Sequence, residues 1–188
     1  IFSDIRVKDI NGVLHYTPQV VKFTTKNRYD HIIGIQLSGN AEHFFADHKF
    51  TLDENCIYFF NQKEDYKVEV AEKGLCFSVH FTTYVPIAVT SFCIKIKDPG
   101  AIVRILNSIE HQFINAGGCT AKCLRELYKL FCIFEDIYFK EYLPKDTKKS
   151  WKVFMTTLRK LFSISPRIIS SASSYRVVRT MVLTPKIL

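Results

Sequence analysis

The chain has 188 residues, of which 47% are hydrophobic and 23% charged, and its formal net charge is +8. This composition is that of a folded protein, so it argues against disorder of the whole chain, and the length suits one domain or two small ones. Apolar runs stay short of the roughly 20 residues of a membrane-spanning helix, and residues 1–6 do not resemble a signal peptide, so we expect a cytoplasmic protein with no membrane partner.

The excess positive charge lies at one end of the chain. Residues 1–143 contain 16 Lys and Arg against 17 Asp and Glu, whereas residues 144–188 contain 10 Lys and Arg against Asp146 alone. A basic segment on a nearly neutral body is typical of proteins that bind a polyanion, because neutralising phosphates supplies most of the energy of nonspecific binding to nucleic acid. The alternative is a solvated tail.

Residues 18–84 have the pattern of short strands separated by turns. The predicted strands are 31–37, 41–45, 48–52, 56–60, 66–70 and 76–81. Such strands, about ten residues apart and each followed by turn residues, predict an antiparallel sandwich or barrel.

The hydrophobic period then changes to that of helices. Asp98 and Pro99 are typical of a helix start, with Asp as N-cap and Pro at the first helical position, and Gly117-Gly118 predicts its end. A second helix is predicted from about Thr120 to Tyr142. Its apolar seam is spaced by three and four residues and consists of Leu124, Leu127, Phe131, Phe134 and Tyr138. A second stripe beside it (Leu130, Ile133, Ile137) makes the apolar surface too wide for a helix pair to bury alone, so part of it should cover the strands and part could meet a second subunit.

Residues 143–149 read as a linker before a further helical pattern. Apolar residues from Trp151 to Phe162 are spaced for one helix face, and Ser163–Pro166 breaks that helix. A serine-rich piece, 170–174, then precedes a last apolar and basic segment, 175–183.

This order of segments resembles the AraC/XylS family of transcription regulators. The matching stretches in the first part are Tyr29–Gly39, Phe50–Phe60 and Ser78–Phe81, and the helix pair stands where the family has its dimerisation helices. Thr157–Phe162 with Ile164–Pro166 is similar to the second recognition helix and the turn after it, and Tyr175–Arg179 to the family's last helix. The chain departs from the pattern between Leu143 and Trp151, where seven residues stand in place of a complete first helix-turn-helix.

The resemblance implies an α+β protein made of an N-terminal antiparallel cupin-like β-barrel, an α-helical hairpin and a helical C-terminal tail. Residues 1–97 would be the ligand-sensing barrel, 98–143 the dimerisation helices, and 144–188 a remnant helix-turn-helix DNA-binding region. It also implies a ligand-responsive transcription regulator that forms a homodimer through the seam of the second helix. Its effector would be a small molecule such as a sugar or related metabolite, although the side chains that hold arabinose in the family are not evident.

Candidate ligand residues follow from alternation on the last predicted strand. Cys76, Ser78 and His80 share one face of it, the face that lines ligand pockets in the family. The resemblance adds Ser38 and Lys67 to this set; the alternative is that all five only fill or edge the barrel.

Candidate DNA contacts lie in the basic tail. Arg159 and Lys160 stand on the predicted recognition helix, where such side chains reach phosphates and guanine edges, and Arg176 and Arg179 could contact the DNA backbone. Solvated helix charges are the alternative. With at most part of one reading unit present, DNA binding should be weak and mostly nonspecific.

No arrangement typical of an enzyme is present in the sequence. His43 and His48 stand on either side of a predicted turn and Glu54 lies in another, which is not the ligand pattern of a cupin metal centre, so we expect no metal, no cofactor and no catalytic residues. The six cysteines form no C-x-x-C pair and are interpreted as small apolar residues. Two alternatives to a regulator stay open: a stand-alone cupin-like binding or interaction module, which the incomplete tail favours, and a cupin enzyme, which the missing metal ligands disfavour.

Overall fold

The computed structural model describes Phe2 and residues 5–142. In this part of the chain, nine strands precede two helices: β1 (Val7–Tyr16), β2 (Lys22–Thr25), β3 (His31–Gln36), β4 (Asn40–Phe44), β5 (Lys49–Leu52), β6 (Cys56–Phe60), β7 (Tyr66–Glu72), β8 (Cys76–Thr83), β9 (Phe92–Lys95), α1 (Gly100–Ala116) and α2 (Ala121–Tyr142). All the described residues except Tyr142 belong to one compact unit, Ile1–Glu141. Neither of the two described helices is both long and apolar enough to cross a membrane.

The strands form two antiparallel sheets. The larger sheet has the order β1-β8-β3-β6-β9 and the smaller one the order β2-β7-β4-β5. The predicted α+β class, with antiparallel strands followed by a helix pair, is therefore confirmed. Closure into a cupin-like barrel is not confirmed, because within the described residues no strand is shared between the sheets and each sheet keeps two edges.

Both helices cover one face of the larger sheet. Alternate residues of its strands point to this side, and they meet the buried faces of α1 and α2 in what we call the helix-side core. Its strand residues include Ile33, Ile35, Ile57, Phe59, Phe77, Val79 and Phe81, and its helix residues include Ile102, Leu106, Ile109, Leu127, Phe131 and Phe134. Because side chains alternate along a strand, the strand residues that lie between these core residues face the smaller sheet.

A second core fills the space between the sheets, and we call it the inter-sheet core. Its buried members are Ile32, Ala41, Leu52, Cys56, Tyr58, Phe60, Tyr66, Val68 and Val70. Residues from both sheets contribute to it, so the described part has three layers: the smaller sheet, the larger sheet and the helices.

The predicted helix ends agree closely with the structure. Helix α1 begins one residue later than expected, with Pro99 at the N-cap, and the Asp98 carboxylate accepts a hydrogen bond from the Gly100 amide at 2.9 Å. Gly117 has φ 67° and ends the helix in the left-handed conformation that glycine adopts without strain.

The sequence did not predict β1, β2 and β9. Strand β1 contains Asp9, Asn11 and Gly12, which read as turn residues, and a register shift between Ile10 and Gly12 shows that a bulge accommodates them. Strand β9 has four residues, too few for a clear alternation.

Candidate ligand cavity between the two sheets

A cavity opens inside the inter-sheet core. Its volume is about 60 Å³, well below the roughly 300–1,000 Å³ of small-molecule sites, so a ligand larger than a few waters can enter only if the walls move apart. The walls from the larger sheet are Ile32, Gln36, Tyr58, Phe60 and Cys76, and those from the smaller sheet are Ala41, His43, Leu52, Tyr66, Val68 and Val70. These residues stand two apart along their strands, so the pleat of each sheet places them on one face.

The mouth of the cavity is rimmed by exposed apolar side chains. Tyr16, Pro18 and Phe23, from the end of β1 to β2, border the cavity together with Glu72 and Gly74. Tyr16 is 44% exposed and Phe23 37% exposed. Apolar groups at the mouth and inside the cavity form one continuous surface.

Gln36 and Cys76 form a buried polar pair on the wall. The Cys76 thiol donates to the Gln36 side-chain oxygen at 2.9 Å, and the Gln36 amide nitrogen donates to the Ser38 carbonyl at 2.5 Å. Burial raises the pKa of Cys76 to about 11, so this thiol is neutral at pH 7. The pair therefore offers the cavity polar atoms without charge.

Tyr58 enters the cavity because residue 34 on the neighbouring strand has no side chain. Gly34 lies opposite both Tyr58 and Ser78, and a carbon added at Gly34 would stand 2.8 Å from the Tyr58 hydroxyl. Burial raises the pKa of Tyr58 well above its ordinary value, with smaller contributions from Cys76 and Tyr16. The hydroxyl is therefore protonated at all physiological pH values.

His43 is a buried histidine on the wall that the smaller sheet forms. It is 6% exposed, its ring packs against Phe50, Phe60 and Tyr66 at 5.1–5.8 Å between centroids, and its Nδ1 has no hydrogen bond of regular geometry among the described residues. Burial lowers the pKa of His43 to about 4, against a smaller opposing effect of the Ala41 backbone. The ring is thus neutral at pH 7.

Arg28 lies behind the aromatic wall. Its guanidinium carbon stands 5.1 Å from the centroid of Tyr66 and 5.8 Å from that of Phe60, and one of its nitrogens donates to the Asn61 carbonyl at 2.7 Å. Burial raises the pKa of Tyr66, and the Arg28 charge partly offsets that rise. The guanidinium supports the rings from outside and is not part of the cavity wall.

The alternation predicted for β8 is present, but only one of its three candidates lines the cavity. Phe77, Val79 and Phe81 lie in the helix-side core, as the opposite face requires. Cys76 borders the cavity, Ser78 is 1% exposed beneath it, and His80 pairs through Nδ1 with the Asp30 carboxylate at 3.1 Å.

The other two predicted ligand residues lie away from the cavity. Ser38 is exposed, and its hydroxyl accepts a hydrogen bond from the Leu75 amide at 3.0 Å. Lys67 is exposed on β7, between Tyr66 and Val68, whose side chains point inward. Neither residue lines the cavity, so ligand binding by Ser38 and Lys67 stays a prediction.

Sequence reasoning missed Gln36, His43, Tyr58 and Tyr66. The alternation of β7 carries a usable signal, because Tyr66, Val68 and Val70 are apolar while Lys67 and Glu69 are charged. His43 has no comparable signal, since its role depends on which sheet faces β4.

The predicted dimerisation seam is buried within the chain. Leu127, Phe131 and Phe134 are at most 1% exposed, and Leu124 and Tyr138 are partly buried against the same helix-side core. In the described conformation these side chains cover the larger sheet, so a subunit interface on α2 would have to use other residues. The predicted DNA contacts Arg159, Lys160, Arg176 and Arg179 lie outside the described residues.

The histidines considered for metal binding are separated by their environments. His43 lines the cavity and Glu54 lies exposed in a turn, whereas His48 pairs with the Asp47 carboxylate at 2.6 Å. Among the described residues, Asp47, His48 and Glu64 bring one ligand atom each within 4.8 Å of one another. One oxygen of Glu64 already accepts hydrogen bonds from the Ser91 amide and hydroxyl, both at 2.6 Å.

Comparisons with known proteins identify no family for this chain. No protein-family model matches the sequence, and no curated protein matches it. Among solved structures, the chain is similar to a crystal structure of ToxT from Vibrio cholerae O395 bound to (E)-4-(8-methylnaphthalen-1-yl)but-3-enoic acid. The TM-score is 0.49 and the sequence identity 9%, over 95% of this chain and 73% of that one. A similarity of this degree assigns neither a family nor a function.

Proposed function

We propose that the two-sheet body binds a small uncharged molecule, and that the chain is a ligand-responsive transcription regulator of the AraC/XylS type. The observation that carries the proposal is the cavity between the sheets, with aromatic and aliphatic walls and a few inward polar groups. Pockets of this composition hold small molecules by apolar contact and orient them through the polar groups. We include in this proposal that the two sheets correspond to a cupin-like sensor barrel, and this part rests on the sequence resemblance.

The ligand is proposed to be neutral because the described cavity wall offers it no opposite charge. His43 is neutral, the Cys76 thiol and Tyr58 hydroxyl are protonated, and the one charged lining residue, Glu72, is exposed at the rim. An ion that entered would lose its hydration without gaining a partner, which costs several kcal/mol. A sugar or related polar ring matches the chemistry of these walls, because its apolar face can lie on an aromatic ring while its hydroxyls hydrogen-bond. Its binding requires the two sheets to move apart, since the cavity of about 60 Å³ is smaller than such a ring.

The larger sheet connects the cavity to the helices in this proposal. On β6, Tyr58 lines the cavity while its neighbours Ile57 and Phe59 belong to the helix-side core. A ligand that shifts Tyr58 would therefore press on the packing beneath α1 and α2. The linker and the basic segment 144–188 follow α2, and in the proposal Arg159, Lys160, Arg176 and Arg179 contact DNA, with a second copy bound through the helices.

Ligand binding in the cavity is tested by a substitution that fills the cavity with a larger side chain. In Ala41→Phe the new ring would occupy the cavity from β4, whereas Ala71→Phe places the same ring on an exposed position of β7. We expect a panel of neutral sugars and nucleosides to contain a compound that raises the melting temperature of the unmodified chain and of Ala71→Phe, but not of Ala41→Phe. Binding at 100 times Kd stabilises by about 2.7 kcal/mol, a readily measured shift.

Each result of this test has a clear consequence. Circular dichroism and unfolding without ligand first establish that Ala41→Phe is folded. An equal response of Ala41→Phe would place the ligand elsewhere. Tighter binding of carboxylates than of neutral compounds of the same shape would contradict the inference of a neutral ligand.

A stand-alone binding or interaction module is the second candidate function. It is favoured by the fact that both cores and the cavity lie within the single unit Ile1–Glu141. Fluorescence anisotropy with duplex DNA at physiological salt distinguishes the regulator from the stand-alone module. Nanomolar affinity for one duplex over its scrambled version would support the regulator and would contradict the weak, nonspecific binding expected from the incomplete tail. Weak binding that is equal for all duplexes, with a salt slope of about −0.9 per neutralised phosphate, would support the module.

A further inference from the structure

Two cysteines lie side by side at one edge of the larger sheet. Cys56 stands on β6 and Cys93 on the edge strand β9, where Cys56 is opposite Lys95 and Cys93 is opposite Tyr58. The cysteines are therefore diagonal neighbours on the same face, two residues apart in register. Both are thiols, and they lie close enough for each to change the pKa of the other.

The surroundings make the two thiols unequal. Contact with Cys93 lowers the pKa of Cys56, although burial and Asp53 oppose this effect, and the same contact is the main cause of a raised pKa at Cys93. The Cys56 thiol also donates to one oxygen of Asp53 at 2.8 Å, and the Lys95 ammonium holds the other oxygen at 2.7 Å. Cys56 is thus the thiol that ionises first, and the thiolate is the form that reacts with oxidants.

Access limits the size of the oxidant. Cys56 is 3% exposed, whereas Cys93 is partly exposed on the edge strand. Because only Cys93 has appreciable exposed surface, we expect a small oxidant to reach the pair from this edge more readily than a bulky reagent, which needs local opening of the strand.

We propose that Cys56 and Cys93 are an oxidation site, at which hydrogen peroxide converts the two thiols into a reversible disulfide that ties β9 to β6. The Cys56 thiolate attacks one peroxide oxygen and the O–O bond breaks, which leaves a sulfenic acid on Cys56 and, after proton uptake, one water. The Cys93 sulfur then attacks the Cys56 sulfur, the S–S bond forms, the S–O bond breaks, and a second water leaves. Two thiols lose two electrons and two protons in total, and one peroxide becomes two waters.

Strand geometry predicts that this bond is easily reduced. Diagonal positions in an antiparallel pair have Cα atoms about 7–8 Å apart, beyond the range of a relaxed disulfide, so the bond forms only if the edge strand β9 shifts towards β6 and it then remains strained. Strained disulfides are reduced more readily than relaxed ones. A link that forms with peroxide and opens with a mild dithiol is therefore expected, and while present it restrains the strand that leads into α1.

The test uses the full chain, treated with hydrogen peroxide, alkylated at its remaining thiols and digested for mass spectrometry. The expected product is one linked peptide pair that joins Cys56 to Cys93, with the loss of two hydrogens, reversed by dithiothreitol. In Cys93→Ser, dimedone added after the peroxide is removed and the chain is unfolded in urea should trap the sulfenic acid on Cys56. Cys76→Ser, which changes another buried cysteine, should leave the linked pair intact. tert-Butyl hydroperoxide should form the link more slowly than hydrogen peroxide.

Other outcomes would overturn the proposal. They are a different cysteine pairing, oxidation of the exposed Cys132 with no linked pair, and dimedone labelling in Cys93→Ser that favours Cys76 over Cys56. The linked pair is sought in the unmodified chain, so the result does not depend on whether a variant folds.

Discussion

The helix-side core and the inter-sheet core share the same strands but differ in chemistry. Each contains one buried histidine, and burial lowers the pKa of both His31 and His43 to about 4. In the helix-side core, His31 packs against Phe59 and Phe81, and its Nδ1 accepts a hydrogen bond from the Gln62 amide at 3.2 Å. In the inter-sheet core, Nδ1 of His43 makes no hydrogen bond of regular geometry among the described residues, and the Ala41 backbone is a polar neighbour of the ring.

The difference indicates that the two faces of the larger sheet have different roles. One face is packed with aliphatic and phenyl groups against the helices, and its buried polar atom is satisfied. The other carries hydroxyl, thiol, amide and imidazole groups around open space. Buried polar groups are normally hydrogen-bonded, so an unsatisfied one beside a cavity indicates a position that a ligand or water completes. Perturbing each face should therefore give different kinds of defect.

The largest expected effect comes from the helix-side core. Phe131→Ala would remove a ring that is 1% exposed and packs against Phe2 and Phe81, so we expect a loss of about 3–5 kcal/mol in the free energy of unfolding. Urea unfolding of the full chain measures it. Ile114→Ala, at a position 67% exposed on α1, should change stability by less than about 0.5 kcal/mol.

Urea unfolding of the same variant also tests whether the α2 seam forms a dimer interface. If the α2 seam met a second subunit instead of its own sheet, the stability of the unmodified chain would rise with protein concentration, and Phe131→Ala would abolish that dependence. Because the seam is buried within the chain, the expected result is that Phe131→Ala lowers the midpoint by the same amount at every protein concentration.

A smaller effect is expected on the cavity side, at Gly34. The carbon added in Gly34→Ala would stand 2.5 Å from the Phe77 carbonyl oxygen and 2.8 Å from the Tyr58 hydroxyl, so the strands or the tyrosine must shift. We expect a cost of about 1–3 kcal/mol and a changed near-ultraviolet circular dichroism signal. Gly12→Ala on β1, where the nearest atom is 4.0 Å away, is the matched control. Equal effects of the two substitutions would show that crowding at Tyr58 is not the cause.

The third prediction concerns pH and compares the two buried histidines. Both have folded-state pKa values near 4, against an ordinary value of 6.5, so the unfolded chain takes up protons first as pH falls. Stability is therefore complete above about pH 6.5 and declines towards pH 4, by about 1.4 kcal/mol per pH unit for each histidine. Between pH 6.5 and 5, His43→Phe should lose about 2 kcal/mol less than the unmodified chain.

The pH slope is read from urea unfolding at several pH values, so a constant packing cost of the new phenyl ring does not affect it. His111→Gln changes an exposed histidine on α1 and should keep the slope of the unmodified chain. A slope in His43→Phe equal to that of the unmodified chain would mean that His43 is not held neutral by burial.

The comparison of cores also explains which features the sequence could predict. Alternation on β8 correctly separated Phe77, Val79 and Phe81 from Cys76, because period two is a local property of a strand. The seam of α2 was equally visible, but an apolar stripe does not say whether it will cover its own sheet or a second copy. Three-dimensional pairing decides that, and here it buries the seam within the chain.

The cavity was less predictable because it depends on register between distant strands. Tyr58 is accommodated by Gly34 across the sheet, and His43 faces the cavity only because β4 lies in the opposite sheet. Lys67 illustrates a different error. The alternation of β7 places it on the polar face, but the family resemblance had suggested it for the pocket.

The smallest expected effect lies outside both cores, at the start of α1. The Asp98 carboxylate accepts the Gly100 amide hydrogen bond, although Pro99 occupies the N-cap, so the aspartate satisfies one of the first amides of the helix from one position upstream. Asp98→Ala should cost about 1 kcal/mol or less. Asp98→Asn keeps an acceptor oxygen and should retain most of the stability, whereas Lys97→Ala, on the exposed residue before it, should have almost no effect. Hydrogen exchange sharpens the measurement, since the Gly100 amide should exchange faster in Asp98→Ala while amides in the middle of α1 keep their protection. Loss of protection along the whole helix would show that Asp98 holds α1 against the sheet and does more than cap its first turn.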